Sequence, residues 1–97
     1  MASISSALET LPKGKGLRID AASGKFSVVD GPFDLSALLR HVGCKYVALV
    51  PLNTGGHTVC VDEEGALRGA IKNDVATAAF GQDVFGHCLI IAEEDTE

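Results

Sequence analysis

Ninety-seven residues, 46% apolar and 22% charged, fit one small domain that buries roughly two-thirds of its unfolded surface and folds without staples. The formal charge is only −5 and no tract is of low complexity, which argues against wholesale disorder. No apolar run approaches the roughly 18 residues of a membrane span, and Met1 to Leu11 lacks the basic start and long apolar centre of a secretory signal, so a cytoplasmic globular protein is expected.

Residues 1–16 mix Ser, Ala and Gly with few bulky side chains. Ile4, Leu8 and Leu11 keep helical spacing, and the segment reads as a flexible arm with at most one docked turn. Leu17 to Asp20 and Lys25 to Val29 are β-branched or aromatic runs joined by Ala21-Ala22-Ser23-Gly24, a first hairpin. Asp30-Gly31-Pro32 ends its second strand, because proline has no N–H for a ladder. Asp34 then supplies a helix N-cap, Leu35, Leu38, Leu39 and Val42 form one apolar stripe, and Gly43 stands at the C-terminal stop.

Lys45 to Leu52 is apolar on both alternating faces, so it reads as a central strand covered on both sides. Asn53-Thr54-Gly55-Gly56 is a turn, and His57 to Val61 returns with Val59 and Val61 on one face and Thr58 and Cys60 on the other. Asp62-Glu63-Glu64-Gly65 makes another tight turn, after which Ala66 to Ala70 reads as an edge strand or extended loop. Asn73 or Asp74 caps a short helix through Val75, Ala76, Ala79 and Phe80, stopped by Gly81. Val84 to Ala92 is a strand with two apolar faces, in which Gly86 marks a bulge or a close backbone approach. The whole reads as an α+β domain over residues 17–92, with a mostly antiparallel sheet of about five strands, two short helices and an acidic tail at 93–97.

Residues 1–50 carry six Lys/Arg against four Asp/Glu, whereas residues 51–97 carry two against nine. The scarcity of clustered basic residues disfavours direct nucleic-acid binding. Lys13, Lys15 and Arg18 form the one basic cluster, and its Gly-Lys is not followed by the Ser or Thr of a P-loop. Phe26 and Tyr46 lack the flanking cations of a base-stacking platform. The acidic second half suggests a weak DNA mimic as one alternative role.

Cys44, Cys60 and Cys88 are odd in number and widely spaced, which fits reduced thiols. His41-x-x-Cys44, His57-x-x-Cys60 and His87-Cys88 offer zinc donors, but on a helix and on strands rather than on tight knuckles, so packing is the preferred use. A small-molecule or metal-dependent enzyme using His57, Cys60 and His87 is the first alternative, ahead of the DNA mimic; His87 and Cys88, as neighbours on a regular strand, point to opposite faces. No catalytic residue, metal or cofactor is assigned. Asp30, Asp34 and Asp74 read as turn and cap residues, and Asp62, Glu63 and Glu64 as solvated carboxylates.

In order, Tyr46-Val47-Ala48-Leu49-Val50, then Val59-Cys60-Val61-Asp62-Glu63-Glu64-Gly65-Ala66-Leu67, then Asn73 with Ala76, then Asp83-Val84-Phe85-Gly86 leading into Leu89-Ile90-Ile91 resembles domain-of-unknown-function family 3846, a small domain of phages, bacteria and some large DNA viruses. The resemblance covers about residues 26–92, and the glycine loop Gly55-Gly56 and the N-terminal arm depart from it. It implies a setting, a phage or viral accessory protein in the host cytoplasm, and no chemistry. The expected function is therefore a small non-enzymatic interaction or regulatory domain acting on a host or viral protein. A homodimer through an edge strand, Lys25 to Val29 or Ala66 to Ala70, goes with that expectation.

Overall fold

The computed structural model describes residues 11, 12, 14–51 and 57–92. Most of the N-terminal arm, the turn at 53–56 and the acidic tail lie outside them. β1 (Lys15–Ile19) and β2 (Phe26–Asp30) form the first hairpin. Asp20 shapes its turn by accepting the Ala22 and Ser23 N–H groups on Oδ1, each at 2.9 Å. The Gly31–Pro32 peptide is cis. α1 (Leu35–Val42) follows, with Asp34 Oδ1 accepting the Ala37 N–H at 2.9 Å and Gly43, left-handed at φ 76°, donating to the Leu39 carbonyl. These are the caps that the Asp34 and Gly43 positions lead one to expect.

β3 (Val47–Pro51), β4 (His57–Asp62), α2 (Asp74–Phe80) and β5 (Cys88–Ala92) complete the chain order. The sheet runs β2-β1-β5-β4-β3 with every pairing antiparallel. The α+β fold with a five-strand antiparallel sheet and two short helices is thus the architecture the sequence leads one to expect. The last strand holds the middle, joining Leu17 of β1 and Val59 of β4 across Ile90.

Three strand assignments need correction. The strand expected over Val84 to Ala92 begins only at Cys88, with Phe85 making a single isolated bridge to Lys72. β3 is an edge strand and not a central one: it pairs with β4 alone, and Leu49 is 47% exposed. Residues 66–70 form no strand. Residues 66–69 belong to a coiled turn spanning 63–69, in which the Arg68 N–H donates to Glu64 O, and the Ala70 N–H after it donates to Gly65 O. Local i→i−4 and i→i−5 bonds use the donors that a strand would have offered sideways. The edges are therefore β2 and β3. Proline at the end of β3 suits that place, since it has no ladder N–H to give.

Strand alternation divides the core between the two faces of the sheet. Leu17, Ile19, Val59, Cys88 and Ile90 pack with Ala76 of α2 and Val84 on one face. Cys60, Leu89 and Ile91 pack with Phe33 and with Leu38 and Val42 of α1 on the other. One helix per face explains why β5 is apolar throughout: Leu89, Ile90 and Ile91 are all fully buried, and each contributes roughly 1.5–3 kcal/mol of burial.

Asn73 ties the second layer together and is itself fully buried. Its Oδ1 caps α2 by accepting the Ala76 N–H at 3.1 Å, while Nδ2 donates to the Ile19 and Gly86 carbonyls at 3.2 and 3.1 Å. One side chain thus satisfies a helix end, a strand end and the irregular approach to β5, where Gly86 takes φ 93°.

Candidate interaction site

β3 and β4 place Val50, Val59 and Val61 side by side on the sheet face that carries α2. The end of α2 and the segment after it bring Phe80, Val84 and Phe85 over that floor, leaving an open groove of about 600 Å³. That volume lies within the range of small-ligand and side-chain pockets. Three hydrogen bonds hold the far wall. The Asn73 N–H donates to Val84 O and the Gly86 N–H to Ile71 O, both at 2.7 Å, and Thr77 Oγ1 accepts the Val84 N–H at 2.9 Å. Gly65 lets the 63–69 turn lie against this wall, because a Cβ there would meet Phe85 O at 2.5 Å.

The groove rim is acidic. Asp62, Glu63 and Asp83 border it beside Gln82. The Asp62 side chain is only 3% exposed. Its Oδ1 accepts the Glu64 N–H at 2.9 Å and its Oδ2 accepts from Arg68, through Nε at 3.1 Å and through Nη2. That pair fixes the turn that forms one wall, as a charge-assisted two-donor contact does. Asp83 pairs with Lys72 at 3.4 Å on the surface, a contact that solvent weakens. Glu63 is exposed.

The imidazoles and thiols singled out in the sequence are dispersed. His57 opens β4 opposite Ala92, Cys60 is buried on the α1 face, and Cys88 is buried on the α2 face. His87 precedes β5, where its Nδ1 accepts the Ala21 N–H at 3.0 Å. The same nitrogen lies 3.8 Å from Asp20 Oδ2. Burial pushes the Cys60 and Cys88 thiols up to about 12, the opposite of nucleophile activation. Cys44, half-buried, donates from Sγ to Tyr46 O at 3.3 Å, and burial followed by the Asp62 charge raises its pKa. Among the described residues no group of three or more His, Cys, Asp or Glu gathers as for a metal ion.

His41 sits in the last turn of α1, and its backbone carbonyl accepts from Arg18 Nε at 2.9 Å. Its ring lies 6.2 Å from that of Phe33, and Nε2 is buried without a hydrogen-bond partner. Burial first, then the charges of Arg40 and Arg18, depress its pKa. Among the described residues no helix is long and apolar enough to cross a membrane.

Sequence reasoning missed the groove and the Asp62–Arg68 pair. Phe85 was read inside a strand, whereas in the structure Phe80 and Phe85, both half-buried, flank the end of α2 and the turn after it. No family model, no curated protein and no solved structure matches the chain.

Proposed function

We propose that this chain is a small protein-interaction domain that receives an apolar segment of another protein in the groove beneath Phe80 and Phe85. The observation that carries the reading is the pairing of that apolar groove with a rim bearing Asp62, Glu63 and Asp83. Apolar lining supplies the attraction, and Glu63 and Asp83 favour a segment bearing Lys or Arg beside its apolar residues. The resemblance to family 3846 adds the proposed setting, a phage or viral accessory protein acting on a host or viral protein in the cytoplasm.

Selection from a random peptide library, followed by amide-shift mapping and calorimetry, tests this. Enriched peptides should combine apolar residues with Lys or Arg and shift amides in 59–63 and 79–85. Ala66→Trp, at an exposed groove position, should weaken binding at least about tenfold with an unchanged melting temperature. Failure to enrich any peptide, or shifts confined to other surfaces, would overturn the proposal.

A further inference from the structure

Among the described residues, no strand pairs with the outer edge of β3. Edge strands of monomeric proteins are commonly protected by charge, bulges or covering segments, because their outward N–H and C=O groups recruit other strands. Val47 to Pro51 contains no charged residue. β2 differs, since Asp30 stands in the strand and is held by Lys15.

The hydrogen-bond phase of β3 follows from one contact. The Glu63 N–H donates to Tyr46 O at 3.0 Å, continuing the register in which Val47 lies opposite Asp62. Tyr46 and Glu63 are therefore a hydrogen-bonded pair, and alternation turns the backbone groups of Ala48 and Val50 toward β4 and those of Val47 and Leu49 outward. The same alternation puts Tyr46, Ala48 and Val50 on the groove face and Val47 and Leu49 on the α1 face. Tyr46 and Leu49 are both large and exposed, at 58% and 47%.

We infer that β3 pairs antiparallel with β3 of a second copy of this chain, about a two-fold axis at Ala48. In that register Val47 and Leu49 exchange hydrogen bonds with the second copy's Leu49 and Val47, using the outward groups on both strands. Moving the axis to Leu49 sets Val47 against Pro51, which has no N–H to give, and moving it to Val47 sets Leu49 against Lys45, two residues before β3 begins, whereas Tyr46, just before the strand, still continues its register through Glu63. The side chains agree with the backbone. Leu49 meets the second copy's Val47 on the α1 face, the two Ala48 residues meet at the axis, and the second copy's Tyr46 lies opposite Val50, walling the groove on its open β3 side. No like charges face each other across the five paired residues, so the contact is isologous and self-complementary.

This inference deepens the interaction reading and rests on it, because it names what covers the β3 side of the same groove. Sedimentation velocity across the micromolar range should show reversible association, and Leu49→Lys, at an exposed position, should weaken it at least about tenfold without loss of the circular dichroism spectrum. In a Cys44→Ser background, Ala48→Cys should form a disulfide-linked dimer under mild oxidation, since Cα atoms of a non-hydrogen-bonded antiparallel pair lie about 4.5 Å apart. Leu49→Cys should not, because the two Leu49 Cα atoms would stand roughly 8 Å apart. A monomer throughout the concentration range, or cross-linking through Leu49→Cys in place of Ala48→Cys, would overturn the inference. Groove peptides that bind a protein that stays monomeric would likewise remove the dimer while leaving the interaction reading in place; a dimer that binds no peptide would do the converse.

Discussion

Replacing Asn73 separates the two jobs of one buried amide. In Asn73→Ala the cap on Ala76 N–H disappears, at a cost of roughly 1 kcal/mol. The Ile19 and Gly86 carbonyls lose their donor inside the protein, each at roughly 1 kcal/mol or more. The expected destabilisation is therefore about 3 kcal/mol, or a fall of roughly 15 °C in Tm for a chain of this size. Asn73→Asp retains an oxygen for the cap but turns its second oxygen toward two carbonyl oxygens, at 3.1 and 3.2 Å from the present Nδ2. It should be at least as destabilised as Asn73→Ala at neutral pH. Urea unfolding followed by far-ultraviolet circular dichroism at one fixed protein concentration measures both. An Asn73→Asp protein within about 0.5 kcal/mol of the wild type would show that the amide bonds to β1 and to the approach of β5 contribute nothing net, and the account of this residue would fail.

Iodoacetamide at mildly alkaline pH should label Cys44 first in the native protein, leaving Cys60 and Cys88 unmodified until denaturant exposes them, as intact-mass measurement would show. Both buried thiols titrate near 12 when folded against an ordinary value of 9.0. Their contribution to stability is thus complete below pH 9 and is lost as pH rises toward 12, and alkaline unfolding should shift when Cys88→Ala removes one of them. His41 acts at the other end: its folded pKa lies below 6.5, so it favours the native state above that pH and costs stability as pH falls through its folded value. Denaturant midpoints between pH 7 and 5 should fall in the wild type and fall less in His41→Gln; equal slopes would contradict the burial of Nε2.

α1 was legible because each end carries its own chemistry, a carboxylate at Asp34 and a left-handed glycine at Gly43; the expected stripe is only partly the buried face, since Leu38 and Val42 are buried but Leu35 is 64% exposed and Ala37, outside the stripe, is buried. The first hairpin was legible for a similar local reason, although β1 begins at Lys15, inside the stretch that reads as an arm. β3 was misplaced because unbroken apolarity has two physical origins. In β5 it reflects cover by a helix on each side, whereas in β3 it lines a groove with Val50 and leaves Leu49 in solvent. Alternation cannot separate a strand that is already covered from one that has an open side. Ala66 to Ala70 was misread because Arg68 reaches back to Asp62, a six-residue contact with no periodic signature. Asn73 was recognisable as a cap, but its two inward bonds depend on where β1 and Gly86 arrive. The groove is the least legible feature, since its walls come from 63–69, α2 and 82–85 and meet only in the folded chain.

The position of β5 bears on how the molecule is made. Its partners β1 and β4 are synthesised well before it, yet neither can join the other until it is inserted between them. Until that strand is in place, the chain can form only two separate strand pairs, each with an unpaired inner edge. Assembly must therefore wait for the strand to leave the exit tunnel, and the long-range closure that follows is of the slow kind.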